Sequence, residues 1–192
     1  MPATRILAFS GSLRTDSWNG KLVRASLEGA RAAGAEPTFI ALRDYPLPIY
    51  DQEIEDREGL PQNATKLKEL FKSHGGLVLG CPEYNSSITA ALKNVIDWVS
   101  RPAPNEKSLE CFTGKVCGLL AASPGALGGL RGLVTVRYVL SNIGVIVLPQ
   151  QFALQKASEA FGEDGKLKDP TQQKNAAAIA EKVAQVAMKL AS

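Results

Sequence analysis

The sequence predicts a doubly wound α/β fold, a five-stranded parallel sheet in the order 2-1-3-4-5 with helices on both faces. Three observations predict it. Short apolar runs alternate with longer segments whose apolar residues recur every three to four positions. The runs are continuously apolar rather than alternating, as expected of strands covered on both faces. No Pro/Gly/Ser-rich linker, repeat or low-complexity tract divides the 192 residues, so a single domain over residues 1–192 is expected.

The elements follow in order. Residues 5–9 form the first apolar run, ending at Ser10-Gly11-Ser12. Residues 18–33 carry Leu22, Val23, Ser26, Leu27 and Ala30 at helical spacing, with Gly34 as a stop. Residues 37–42 are the second strand. Residues 43–61 hold Pro46, Pro48 and Pro61, and five acids lie between Asp51 and Glu58, which reads as a long solvated loop. Residues 64–73 are a helix with Leu67, Leu70 and Phe71 facing inward, and 76–81 the third strand. Residues 88–99 are a helix whose stripe is Ile88, Ala91, Leu92, Val95, Ile96 and Val99. Residues 116–122 form the fourth strand, 127–143 a helix and 145–148 the fifth strand. An alanine-rich helix over 175–190 closes the chain, with Ile179, Val183, Val186 and Leu190 on its apolar stripe.

Composition excludes several classes. Hydrophobic residues are 45% and charged residues 21%, which fits a globular domain and not a disordered, collagen-like or disulfide-stapled chain. The net charge of +3 is spread along the sequence without a basic block, so no nucleic-acid or membrane-surface partner is expected. Cys81, Cys111 and Cys117 form no Cys-x-x-Cys pair and read as reduced thiols. His74 is the sole histidine, and a Cys/His zinc site or Ser-His or Cys-His catalysis would have to use it. Beside Gly75-Gly76 it reads instead as an exposed or capping residue at a helix end, so no metal site is assigned. The first apolar run is too short for a signal-peptide core, and no stretch reaches the ~18 apolar residues of a membrane span. A cytoplasmic location is expected.

In such a sheet a ligand sits beyond the carboxyl ends of the strands, at the switch point between strands one and three. The segment after strand one places the hydroxyls of Ser10, Ser12, Thr15 and Ser17, the Asn19 amide and the Arg14 guanidinium just before a helix. Helix-start N–H groups with hydroxyls and a guanidinium suit a terminal phosphate; the alternative is a plain serine-rich cap. The Walker loop, the Gly-x-Gly-x-x-Gly fingerprint and a Cys-x5-Arg loop are all absent. Ser10 and Cys81 stand where a response regulator needs acids. A mononucleotide phosphate held by hydroxyls remains. After strand three, Cys81-Pro82-Glu83-Tyr84-Asn85-Ser86-Ser87-Ile88 offers Tyr84 to a flat ring and the backbone of residues 82–85 to its polar edge. The alternative there is a proline turn with a cap at Ser86 or Ser87. After strand four, Gly125, Gly128 and Gly129 allow the backbone close to a flat ligand, or simply make a flexible crossover.

Taken together, these segments carry a resemblance. Gly11-Ser12-Leu13-Arg14 with Ser17 and Asn19 is the first part. Pro82-Glu83-Tyr84-Asn85 with Ser87, Leu92-Lys93-Asn94 and Asp97-Trp98 is the second. Ser123-Pro124-Gly125 with Gly128-Gly129 and Arg131 is the third. Over about residues 5–150 the chain resembles the NAD(P)H-dependent FMN reductase family of flavodoxin-like fold, in the branch of chromate, quinone and azo-dye reductases. The resemblance implies that Ser12, Arg14, Ser17 and Asn19 hold the FMN phosphate, that Pro82, Glu83, Tyr84 and Asn85 line the isoalloxazine, and that Ser123 and the glycines after it close the far side. Ser10, Leu13, Gly125 and Gly128 complete the expected cofactor-binding set. Where family members often have Pro-Gly, this chain has Thr89-Ala90.

The activity so implied is an FMN-dependent NAD(P)H oxidoreductase. It passes two electrons as hydride through flavin N5 to quinones, with azo dyes, chromate or ferric chelates as other acceptors. The flavin carries the chemistry, so no catalytic acid, base or nucleophile is named, and the reductant is NADPH or NADH. The alternatives are a dedicated reductase that supplies free reduced flavin, a non-enzymatic electron carrier, and a scaffold without flavin. Carriers of this fold tend to be strongly acidic, which the charge of +3 opposes; the complete phosphate loop opposes the empty scaffold. The resemblance also implies a homodimer or a dimer of dimers. The outer side of helix 88–99 carries Lys93, Asp97, Trp98 and Arg101, and an exposed Trp98 would suit an interface; the alternative is a helix that packs Trp98 into its own monomer.

Overall fold

In the computed structural model, which describes residues 3–191, strand β1 (Arg5–Ser10) runs between β2 (Glu36–Ala41) and β3 (Gly76–Gly80). A two-residue hairpin, β4 (Glu83–Tyr84) and β5 (Ser87–Ile88), stands apart from the sheet. Strands β6 (Val116–Ala122) and β7 (Ile146–Leu154) complete it, and every pairing in it is parallel. The order β2-β1-β3-β6-β7 is the expected 2-1-3-4-5 once the hairpin is set aside.

The period of two along each strand explains the two cores. Ile6, Ala8 and Val78 point to one face, where α1 (Trp18–Ala32) and α7 (Pro170–Ala191) bury Leu22, Val23, Ile179 and Val183. Leu7, Phe9 and Leu77 point to the other. There α3 (Gln62–Ser73), α4 (Ala90–Val99) and α5 (Leu130–Asn142) bury Phe71, Leu92 and Leu133. The alanines of α7 let it lie close to α1: a Cβ added at Gly29 would stand 2.0 Å from the Ala177 carbonyl oxygen.

The structure departs from the sequence reading in several places. Residues 43–61 are not all loop. They contain α2 (Gln52–Glu58), started by the Asp51 carboxylate accepting from the Glu53 N–H and ended at Gly59, φ 73°. Of the acids of that stretch, Asp51 is the N-cap and Glu53 and Glu55 lie in the first turn, where the helix dipole favours them. Ile88 belongs to the hairpin and not to the helix after it. The last strand runs to Leu154, because a register shift opposite Cys117–Leu119 lets Pro149 sit in an edge strand. A short α6 (Ala157–Ala160) follows. His74 does cap α3 but is buried, its ring between the Leu70 carbonyl and the Thr38 hydroxyl. Burial pushes its pKa down.

Trp98 is the largest correction, because it is fully buried in its own chain. Its Nε1 donates to the Pro48 carbonyl at 2.8 Å and the Tyr50 ring meets it edge-on at 5.0 Å. Asn94 donates to the same carbonyl and accepts from the Tyr50 N–H. Residues 48–50 thus cover the side of α4 that local sequence left open. Lys93 and Asp97 do form their surface pair, at 2.7 Å.

A buried ion network fixes the segment after α4. Lys68 lies 2.7 Å from Glu106 and donates to the Val99 and Arg101 carbonyls; Lys72 meets the other Glu106 oxygen at 2.6 Å. Burial pushes the Glu106 carboxyl up, but hydrogen bonds from Lys68 and Lys72 outweigh it and bring the pKa from 4.5 to about 2. A depressed folded-state pKa contributes stability above the unfolded value, lost as pH falls through the folded one. The stability gap between the native chain and Glu106→Gln is therefore expected to be full at neutral pH and to shrink between about pH 4.5 and about 2. Urea denaturation midpoints across that range check it; a gap independent of pH would contradict the assignment.

Among the described residues, no helix is long and apolar enough to cross a membrane. No group of three or more His, Cys, Asp or Glu side chains among them could hold a metal ion.

Candidate cofactor site

Three loops meet beyond the carboxyl ends of β1, β3 and β6. The first is held from below by glycine. Gly11 donates to the Gly80 carbonyl at 2.8 Å, and a Cβ on Gly11 would stand 2.7 Å from that of Leu92. Thr89 ties this loop to α4: its hydroxyl donates to the Gly11 carbonyl at 2.7 Å and caps the helix by accepting from the Leu92 N–H. The cap is thus Thr89, not Ser86 or Ser87. At this position, where the family often has proline, a threonine joins two site loops.

Ser17 is the N-cap of α1, its hydroxyl accepting from the Gly20 N–H. The first-turn N–H groups of Trp18 and Asn19 have no intrahelical acceptor and carry the positive end of the helix dipole. For Asn19 that backbone N–H is the group that points out of the helix start. Its side-chain amide is engaged with β6, donating to the Ala122 carbonyl at 2.8 Å and accepting from the Ala122 N–H at 2.9 Å. The Arg14 guanidinium lies over the Trp18 ring, 5.2 Å from its centroid.

The hairpin β4–β5 forms the opposite wall. Its turn places Asn85 and Ser86 at φ 50° and 65°, the left-handed pair that a two-residue hairpin requires. Glu83 pins the hairpin to α5. One carboxylate oxygen accepts from Arg131 at 2.7 Å and the other from the Gly132 N–H at 3.0 Å. Burial pushes the Glu83 carboxyl up, yet the Gly132 and Arg131 hydrogen bonds prevail and hold it below the usual carboxylate range. Pro82 is buried and Tyr84 exposed. On the third loop the Ser123 hydroxyl accepts from the Gly125 N–H. Gly128, φ 60°, is packed so closely on β7 that a Cβ would stand 2.8 Å from the Leu154 backbone.

Together Ser12, Arg14, Ser17, Trp18, Asn19, Pro82, Glu83, Tyr84, Ala122, Ser123 and Pro124 enclose one depression of about 260 Å³. Of the thirteen residues expected from sequence, eight line it. Ser10 faces a neighbouring cleft, and Leu13 lines an apolar groove with Tyr45, Leu47 and Val95. Asn85, Gly125 and Gly128 shape the loops around the depression. Thr89 and Trp18 stand outside the thirteen residues expected from sequence, although both were legible as the openings of their helices.

The donor set fits a flavin mononucleotide. One end offers hydroxyls, a guanidinium and helix-start N–H groups, the chemistry of a phosphate site. The other offers Tyr84, Pro82 and main chain to a flat ring. The three thiols take no part: Cys81, Cys111 and Cys117 are buried, and burial pushes each pKa up.

Comparison with known proteins agrees. Residues 4–159 match the family model described as NADPH-dependent FMN reductase. A quinone reductase of Escherichia coli K12 is 31% identical over 144 residues, covering 75% of this chain and 73% of that protein. A probable NADPH:quinone oxidoreductase 2 of Oryza sativa subsp. japonica is 34% identical over 173 residues, covering 88% and 81%. Among solved structures, the flavoenzyme NAD(P)H:(acceptor) oxidoreductase FerB of Paracoccus denitrificans superposes with a TM-score of 0.81 at 24% identity, covering 97% and 98%, which shows the shared fold. With its parallel sheet and this match over most of its length, the chain belongs to the NADPH-dependent FMN reductase family and is an FMN- and NAD(P)H-dependent oxidoreductase of the quinone/FMN reductase type.

Proposed function

We propose that this oxidoreductase reduces quinones in two-electron steps and takes azo dyes, chromate, ferric chelates or free flavin as poorer acceptors. FMN, when bound, would supply the two-electron redox chemistry. The residues of the chain bind and orient. Ser12, Arg14, Ser17 and the start of α1 hold the phosphate, and Pro82, Tyr84 and Ser123 frame the ring. Asn19 locks the first loop to the third through Ala122, and Glu83 holds the hairpin wall in place.

One observation carries the breadth of acceptors in this reading. The walls near Tyr84 bring no convergent set of charged side chains: the one carboxylate there, Glu83, is bound to Arg131 and Gly132. Strong selection of one acceptor needs placed polar groups whose mismatch is costly. The test is a panel of quinones, free FMN, azo dye, chromate and ferric chelate at fixed NAD(P)H, compared by kcat/KM. Quinones are expected to lead. Free FMN ahead of every quinone by a hundredfold, about 3 kcal/mol of transition-state preference, would replace this reading with a supplier of free reduced flavin.

The protein works as a homodimer or dimer of dimers in this reading. Buried Trp98 no longer supports that, but α5 does. Leu130, Val134 and Tyr138 recur at four-residue spacing on its exposed side, with Tyr138 74% exposed. A two-fold pairing of identical faces would cover them. Sedimentation at micromolar concentration is expected to give at least a dimer, reduced toward monomer by Val134→Glu; a monomeric native chain contradicts the assembly. The reduced, buried thiols accord with a cytoplasmic setting.

A further inference from the structure

Beyond the phosphate loop, on the side away from Tyr84, lies a second cleft of about 240 Å³. Ser12, Arg14 and Ser17 line both depressions, so the expected phosphate position is their common wall. The cleft is cationic. Arg14, Lys21, Arg24 and Arg43 line it, and the nearby carboxylate, Asp16, is exposed and paired with Lys21 at 2.6 Å. Arg43 donates to the Thr15 hydroxyl and bridges the mouth. The Arg24 guanidinium lies 3.7 Å from the centroid of the Phe39 ring, which also lines the cleft. A second depression of about 440 Å³ continues along α1, sharing Lys21 and Arg24 and bringing Glu28, Arg31, Asp164 and Lys166.

An independent observation points to a ligand here. Ser10 is only 4% exposed, and its buried hydroxyl has no hydrogen-bond partner among the described residues. Ser10 lines this cleft and not the flavin depression. A buried hydroxyl without a partner is unfavourable, and native structures nearly always satisfy such groups.

We propose that the cofactor site extends through its phosphate end into this cleft, which takes the adenylate half of a flavin dinucleotide, so that the chain binds FAD as well as FMN. This rests on the reading of the first depression as the flavin site. In FAD the second phosphate is joined to the first through one bridging oxygen, which brings it to the shared wall formed by Arg14. Lys21, Arg24 and Arg43 neutralise the added charge, and the Ser10 hydroxyl gains an acceptor. The Arg24–Phe39 stack offers a face to the adenine. The volume available with the continuing depression lies in the range of about 300–1,000 Å³ typical of ligand sites.

The test is a flavin-fluorescence titration of the apoprotein with FMN and with FAD. FAD is expected to bind within about tenfold of FMN. Arg24→Ala and Lys21→Gln, both on the outer side of α1, are each expected to weaken FAD about five- to tenfold and leave FMN within about twofold, since charge-assisted contacts to one phosphate are lost. Circular dichroism confirms that each variant folds. FMN binding without FAD binding overturns the proposal and spares the flavin reading. Failure of both flavins overturns the flavin reading and the proposal with it. FAD affinity untouched by either variant, with a fall in kcat/KM for NADPH but not NADH, also overturns it and assigns the cleft to the 2′-phosphate of the reductant.

Discussion

Trp98→Ala is expected to destabilise the protein by about 3–5 kcal/mol, the usual cost of emptying a fully buried aromatic site. Trp98 is 0% exposed, so the cavity has no route to water and closes only if its neighbours move. The neighbours are Tyr50, edge-on at 5.0 Å, and the Pro48 carbonyl, which loses its indole donor but keeps the Asn94 amide. Residues 48–50 lie over α4 through these contacts, and the preceding residues 45–47 line the apolar groove with Leu13. Loosening them is expected to raise protease sensitivity near Asp51 as well as to lower the urea midpoint. Trp98→Phe keeps part of the ring volume and is expected to lose less than half as much. A Trp98→Ala variant of native stability would show that residues 48–50 do not depend on this anchor.

Arg14→Ala is expected to weaken FMN about 10- to 100-fold, because a charge-assisted hydrogen bond to a phosphate contributes roughly 1.5–3 kcal/mol. Arg14 is exposed and anchored only by stacking on Trp18, so its removal leaves the fold intact. Arg14→Lys keeps the charge but loses the planar stack and the forked donors, and an intermediate affinity is expected. Riboflavin, which lacks the phosphate, is expected to bind both proteins equally. Equal FMN affinity in native and Arg14→Ala proteins, measured by fluorescence titration, would remove Arg14 from the site.

Local signals settled much of this protein. Continuous apolar runs such as Leu77-Val78-Leu79 can be buried only between two layers, so strands, helices and their alternation were legible. Connections that return the chain parallel and right-handed leave few topologies. The grouping of Ser12, Arg14 and Ser17 at one depression was legible because it is local: they lie within six residues of one another just before a helix. What only the tertiary structure decided depends on partners distant in sequence. Trp98 has the spacing of an outward residue, and Pro48, fifty positions earlier, buries it. Asn19 reads as a phosphate ligand until Ala122, 103 residues away, engages its amide. Ser10 reads as one more hydroxyl of the loop. β1 turns it behind that loop, where Arg43 and Phe39 of the second strand and its following turn meet Arg24 of α1. Helical and strand periods report which side of an element faces a core. They carry no information about which remote segment covers the rest, and that coverage decided which polar groups remain free to bind.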